Sequence, residues 1–273
     1  MVMPVLARLA AILAMAAWMF HPAAAAAADP VTHLRLVAAV ERHDGGDFLA
    51  GVDLGLAPGW KTYWRRPGDS GIAPQFDWSG SQNVAAVELR WPAPERFDDP
   101  GDTTFGYREG AVWPLRVTPE NADAPVVLNL FMHFGICADL CIPRESSLSL
   151  TVPADGTGSA GDETEDAAML RAALARVPVP LGEPERVTVR WRDNSAPVLD
   201  VRLAGCGESC DAPVLIVDGP ANIWFGVPRP TREGGALRYE MEVEALSPAM
   251  IEGEEIELIF VSPGGAFTVH KKL

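Results

Sequence analysis

The sequence predicts a mainly β protein: two β-sandwiches in tandem, joined by a linker and one short helix. Three observations carry this reading. Apolar residues recur at every second position over much of the chain, as they do in half-buried strands. Gly and Pro number 25 and 24 in 273 residues and punctuate those runs at turn spacing, with no long helical period between them. A glycine-rich stretch, Pro153-Ala-Asp-Gly-Thr-Gly-Ser-Ala-Gly-Asp162, then separates two sets of strands. The resulting division is 1–28 for a leader, 29–153 for the first sandwich, 154–182 for the linker and helix, and 183–273 for the second sandwich.

Residues 1–28 contain one charged side chain, Arg8, followed by an apolar run from Leu9 to Phe20, then Pro22 and an alanine tract. This is the pattern of a signal peptide, with cleavage expected just before Asp29. A retained anchor is the competing reading, because the alanines lengthen the apolar core toward spanning length. The formal charge of −15 becomes −16 once Arg8 is removed, which argues against nucleic-acid binding. Four cysteines in two C-x3-C groups, Cys137/Cys141 and Cys206/Cys210, suit an exported chain in an oxidising compartment.

The first two strands are expected at 33–37 and 48–57, turned by Asp44-Gly-Gly-Asp47, with Ala50, Val52, Leu54 and Leu56 as an inward face. Pro58-Gly59 opens an aromatic cluster of Trp60, Tyr63 and Trp64, in which the tryptophans fit core packing. Residues 67–71 form a loop, and 75–78 and 84–91 read as short strands. The segment 98–107 is polar and turn-rich, and Phe105 and Tyr107 read as exposed within it. Such a loop is either a plain connection or a cover over a reactive site. Strands at 112–117, 125–136 and 145–152 complete the first sandwich.

The cysteine pair ends the longest alternating run. Val126, Leu128, Leu130, Met132, Phe134 and Ile136 before the turn, and Leu148, Leu150 and Val152 after it, are apolar and all even-numbered. Cys137 and Cys141 are odd, so parity puts both on the face away from the core, across a loop of Ala138, Asp139 and Leu140. Opposed residues of an antiparallel pair lie about 4.5–5.5 Å apart at Cα, within disulfide range. A ring this small contributes only about 2 kcal/mol of chain-entropy stabilisation, so exchange is as good a use for it as stapling. His133, Cys137 and Cys141 also recur every four residues on one parity, a third reading as metal ligands, although a C-x3-C pair lacks the usual zinc-knuckle partners. Spacing leaves staple, exchange pair and metal site open.

The run Gly135-Ile-Cys-Ala-Asp-Leu-Cys-Ile-Pro143, with Pro58-Gly-Trp-Lys-Thr-Tyr-Trp-Arg-Arg-Pro-Gly-Asp-Ser-Gly71 before it, resembles the amino-terminal periplasmic domain of the DsbD family of thiol:disulfide interchange proteins, in its ScsB-like branch. The resemblance implies an immunoglobulin-like sandwich, making the fold class two tandem immunoglobulin-like β-sandwiches, and it implies a periplasmic address. It further implies a protein-disulfide reductase type of activity without cofactor or metal. Electrons would pass from a membrane thiol transporter to thioredoxin-like periplasmic proteins or cytochrome c maturation factors. Cys141, ahead of Pro143, takes the role of attacking sulfur and Cys137 that of the resolving one. Tyr63 is set beside the pair, and Phe105 becomes the capping aromatic with Tyr107 as its alternative, although the acidic-aromatic pattern of 98–107 departs from the better-known branch. A protonated His133 would offset the effect of Asp139 on a neighbouring thiol. No membrane or thioredoxin-like domain of the family is present in this sequence, so the electron donor is expected to be a separate protein.

Beyond the linker, Asp162 is the expected cap of a helix running to about Arg176, with Glu163 and Glu165 in its first turn and Pro178 and Pro180 ending it. Ala167, Leu170, Leu174 and Val177 form its expected buried stripe. Alternation resumes at Val187-Val189-Trp191, Leu199-Val201-Leu203, Leu237-Tyr239-Met241-Val243, Ile256-Leu258-Phe260 and Phe267-Val269. Parity sets Cys206 opposite Leu199, Val201 and Leu203. With no aromatic cluster before it and no counterpart in the family, Cys206/Cys210 reads as a structural disulfide. The alternative to an exchange protein is a non-catalytic binding module in which both disulfides are structural. Neither reading implies a nucleic acid or a small-molecule substrate.

Overall fold

Alternation places most strands of the first half, but not the strands at 61–68, 95–99 and 102–108, where the sequence reads an aromatic cluster and polar loops. The computed structural model describes residues 29–42, 46–154, 164–192, 197–206, 211–245 and 250–273. In chain order the strands are β1 (Val31–Arg42), β2 (Phe48–Leu56), β3 (Lys61–Gly68), β4 (Gln75–Asp77), β5 (Ala86–Leu89), β6 (Glu95–Asp99), β7 (Asp102–Arg108), β8 (Gly110–Thr118), β9 (Val126–Cys137) and β10 (Cys141–Val152). One sheet runs β1-β2-β8-β5 and the other β10-β9-β3-β7-β6, with β4 also paired to β9. The even face of β2 is buried, as are Val126, Leu128, Leu130, Met132, Phe134 and Ile136 of β9, none more than 2% exposed. Between the sheets lies an aromatic centre. Trp113 is its hub, meeting Phe76, Trp91 and Tyr107 edge-on at ring separations of 5.5, 6.5 and 5.9 Å.

The helix, α1 (Glu165–Leu174), is capped by Thr164, whose Oγ1 accepts from the Ala167 amide at 3.1 Å. Asp162, the expected cap, lies outside the described residues, as do Glu163 and linker positions 155–161. The buried face is Ala167, Leu170 and Ala173, with Leu174 39% exposed, so the expected stripe is rotated. Two contacts seat the helix. Leu170 occupies the space that a Cβ at Gly51 would take, and Asp166 pairs with Arg35 at 2.9 Å.

The C-terminal strands are β11 (Val179–Pro180), β12 (Val187–Arg192), β13 (Val198–Ala204), β14 (Val214–Asp218), β15 (Trp224–Phe225), β16 (Pro230–Glu233), β17 (Ala236–Glu244), β18 (Glu255–Ser262) and β19 (Gly265–Lys272). They form sheets ordered β11-β19-β18-β14 and β12-β13-β17-β15, with β16 on β17. Residues of both sheets, among them Leu199, Val201, Tyr239, Leu258 and Phe260, share a second core. Strand β14 is absent from the alternation because Val214-Leu-Ile-Val217 is continuously apolar. Both of its faces are covered: Leu215 and Val217 enter the second core, whereas Ile216 enters the first. Ile259 of β18 also joins the first core, and from Val31 onward the described chain is one compact unit.

The parity expectation for Cys206 is corrected. It is 7% exposed, disulfide-bonded and packed in the second core, because Gly205 takes a positive φ of 74° after Ala204 and turns the chain inward. Its expected partner Cys210 lies outside the described residues.

All three tyrosines, Tyr63, Tyr107 and Tyr239, are at most 3% exposed, and burial pushes each phenol above its ordinary value. Tyr107 and Tyr239 each donate to a proline carbonyl, that of Pro92 and that of Pro213, at 2.8 Å. An unfolded tyrosine loses its proton near pH 10, and each folded one here loses it at a higher pH. Above that pH the unfolded chain therefore binds fewer protons than the folded one, and stability falls as pH rises. Phenolate absorbance should stay silent until the protein unfolds and should then rise together with loss of the tryptophan signal. A phenolate titrating near pH 10 in the still-folded protein would contradict the burial.

Candidate active site

The β9–β10 hairpin keeps register to its tip, where Cys137 faces Cys141 and the two are joined in a disulfide with a Cα–Cα distance of 4.1 Å. The two sulfurs are not equivalent. Cys141 is exposed, but Cys137, expected on an open face, is only 6% exposed. Strand β3 runs beside the end of β9 and pairs Lys61 with Cys137 and Thr62 with Ile136, bringing its own side chains to that end of the hairpin. Thr62 Oγ1 also donates to the Gly135 carbonyl at 2.8 Å. On the odd face of β9 near its end, Ile72 and the Tyr63 ring lie against Gly135 and Lys61 stands directly across from Cys137, and parity alone does not reveal neighbours that arrive from more than 60 positions away.

Tyr63 follows in β3, 1% exposed, with its hydroxyl 3.2 Å from Cys141 Sγ. A disulfide-bonded sulfur carries no proton, so the phenol is the donor. Burial first, and then the carboxylates of Asp102 and Asp99, push its pKa up, so that it keeps this proton. Two glycines make room for the ring. A Cβ at Gly71, where φ is +107°, would overlap it, and one at Gly135 would press on both Ile72 and the ring. The segment carrying Gly71 is tied to the β6–β7 turn: Asp69 N donates to the Thr103 carbonyl at 2.9 Å, Thr103 N to Asp69 Oδ2 at 2.8 Å, and Ser70 Oγ to Asp102 Oδ2 at 2.6 Å.

The expected aromatic cap is corrected. Phe105 and Tyr107 are each 3% exposed and belong to the first core. Tyr63 pairs with Gly106, so Phe105 and Tyr107 project to the opposite side of the sheet from Tyr63 and the sulfurs. The segment read as an exposed loop is the β6–β7 hairpin, and the aromatic ring on the disulfide is Tyr63. His133 is half-buried and faces Glu145, four residues along β9 from Cys137, which is about 13 Å at strand rise. Pro143 is exposed two residues beyond Cys141 and faces Gly135. Among the described residues no group of three His, Cys, Asp or Glu is placed to hold a metal.

Two neighbours of the site escape sequence reasoning. Lys61, directly across from Cys137, directs its ammonium to Asp99 at 3.3 Å and Thr104 Oγ1 at 3.0 Å, and lies 4.7 Å from the Phe97 ring centre. Leu140, in the loop between the cysteines, is 70% exposed and presents an apolar side chain beside the accessible sulfur. An incoming thiolate can reach Cys141 from solvent, leaving buried Cys137 as the departing sulfur, while a neutral donor bonds to the sulfur under attack.

Residues 33–153 match the family described as thiol:disulfide interchange protein DsbD, N-terminal. Both site strands, Tyr63 and both cysteines fall inside this DsbD-matching segment. Among solved structures, one that matches is the N-terminal periplasmic domain of ScsB from Proteus mirabilis, 27% identical, with a TM-score of 0.67 over 89% of this chain and 94% of that one. The comparison with curated proteins gives no match. The likeness to ScsB thus extends beyond the DsbD-matching segment into the C-terminal sheets. Among the described residues no helix is long and apolar enough to cross a membrane. Residues 1–28, where the leader is expected, lie outside them.

Proposed function

We propose that this chain relays reducing equivalents in the periplasm by dithiol–disulfide exchange at Cys137 and Cys141. The supporting observation is the asymmetry of the pair: an exposed Cys141, its sulfur hydrogen-bonded by Tyr63, joined to a buried Cys137. A donor thiolate attacks Cys141 Sγ, forming a mixed disulfide and releasing Cys137, which takes up a proton. The donor's second thiol then displaces Cys141, so the donor is oxidised by two electrons and the pair becomes a dithiol. In the second half Cys141 attacks an acceptor disulfide and one acceptor sulfur leaves as a thiol. Cys137 then attacks Cys141 Sγ, freeing the acceptor's other thiol and restoring the Cys137–Cys141 bond. The donor is a membrane thiol transporter and the acceptor a thioredoxin-fold or cytochrome c maturation protein.

The same reading assigns exchange to 29–153, a linker and helix to 154–182, and a second immunoglobulin-like sandwich with a structural Cys206–Cys210 disulfide to 183–273, after cleavage near Asp29. It is tested by incubating the oxidised protein with a reduced thioredoxin-like donor and mapping labelled thiols. Cys137 and Cys141 should label first while Cys206 stays protected. Equal resistance of both pairs would favour the binding module.

A further inference from the structure

Strand β3 holds the active-site tyrosine, yet its backbone pairing stops there. On the β9 side the ladder ends at Thr62, and on the β7 side Tyr63 pairs with Gly106 but the next pair is Gly68 with Thr104. Four residues, from Trp64 to Pro67, therefore stand opposite Phe105 alone, and Pro67 has no amide proton to donate. Side chains must fix the chain across this bulge. Trp64 enters the first core, and the next two residues reach the C-terminal sheet. Arg65 Nε donates to Asp218 Oδ2 at 2.7 Å and its Nη2 to Glu257 Oε2 at 2.5 Å, while Arg66 Nε donates to Asp218 Oδ1 at 2.5 Å.

The receiving side is arranged for this. Asp218 on β14 and Glu257 on β18 are direct cross-strand partners, a placement in which two carboxylates repel. The guanidiniums offset that repulsion, and all four side chains are only 21–30% exposed, so solvent screens the network incompletely. Immediately after Arg66 the chain passes through Pro67 and Gly68 to Gly71 and Ile72, which close over the Tyr63 ring. The clamp and the covering segment are thus one continuous piece of backbone with Tyr63 at its start.

We propose that Asp218 and Glu257 are positioning residues for thiol chemistry at Cys141, acting through Arg65, Arg66 and the segment 67–72 on Tyr63. This rests on the exchange reading of the cysteine pair. The C-terminal sheet thereby acquires a role in the reaction although it contributes no group to the sulfurs. Released from the carboxylates, the bulge shifts, the ring loses its fit between Gly71 and Gly135, and the hydroxyl loses Cys141.

The test uses the full chain carrying Cys137→Ser, so that Cys141 is a free thiol, and follows its alkylation by iodoacetamide as a function of pH. Tyr63→Phe should leave about tenfold less thiolate at neutral pH, the size of one charge-assisted hydrogen bond, and raise the midpoint of the profile. Asp218→Asn with Glu257→Gln should move the midpoint in the same direction, and Glu257→Gln alone, which keeps the Arg65–Asp218 pair and is the milder change, should move it less. Combined with Tyr63→Phe, the carboxyl changes should add nothing further, with near-UV circular dichroism confirming the fold. Additive shifts, or an unmoved midpoint in the carboxyl variants, would overturn the proposal. Alkylation needs no partner protein, so such a failure is distinct from failure of the exchange reading, which would show as absence of reduction by the thioredoxin-like donor.

Discussion

Cys137→Ser should hold a thioredoxin-fold partner as a mixed disulfide through Cys141, whereas Cys141→Ser should hold none, and relay turnover should be lost in both. The expectation follows from where the sulfurs lie. Cys141 is exposed beside Leu140, and Cys137 is only 6% exposed, so a partner sulfur reaches one and not the other. Without Cys137 no resolving thiolate remains and the complex accumulates. Without Cys141 the remaining thiol is the buried one and meets no disulfide. Non-reducing electrophoresis of each variant with an oxidised thioredoxin-fold protein reads the result directly. Capture by Cys141→Ser, or capture by neither, would remove the asymmetry on which the mechanism stands.

The largest loss of stability is expected from Trp113→Ala. Trp113 is fully buried at the hub of the first core, in edge-on contact with Phe76, Trp91 and Tyr107. Truncation of a large aromatic in a packed core costs about 3–5 kcal/mol, a substantial share of the roughly 5–15 kcal/mol that stabilises a typical domain. The surrounding rings belong to β4, β7 and the approach to β6, so they cannot collapse into the space without breaking register. Denaturant unfolding should show a markedly lower midpoint. A change below about 1 kcal/mol would mean that the aromatic centre is not what joins the two sheets.

Much of the fold is legible because alternation is a local property. The inward faces of β2 and β9 and the cysteine hairpin can be read from neighbouring residues. Strand β14 cannot, since burial on two sides erases the period on which such reading depends. The burial of Cys137 is likewise hidden, because the neighbouring strand lies far away in sequence. Tyr63 is identifiable only through family resemblance: nothing in Trp60-Lys-Thr-Tyr-Trp64 separates an active-site phenol from a core one. Phe105 and Tyr107 mislead for the converse reason. Their neighbours Asp98, Asp99 and Asp102 are polar, but these acids sit around a hairpin turn while the rings cross to the core. The pairing of Arg65 with Asp218 spans 153 residues, and no local pattern announces it.

The two-sided burial of β14 also bears on how such a chain can change over evolutionary time. Ile216 and Ile259 belong to the sheets that follow the helix, yet they pack in the core that precedes it. A chain ending after β10 would leave that core short of these two buried side chains and of Val214, Val227 and Val261 packed beside them, and would bare an apolar patch where they had been. Recombination that exchanged one half for that of a distant relative would bring together surfaces that had never been fitted to each other. Substitutions around Phe105 and Ile216, which line one cavity, should therefore drift in concert, and the two halves should be inherited as a single unit.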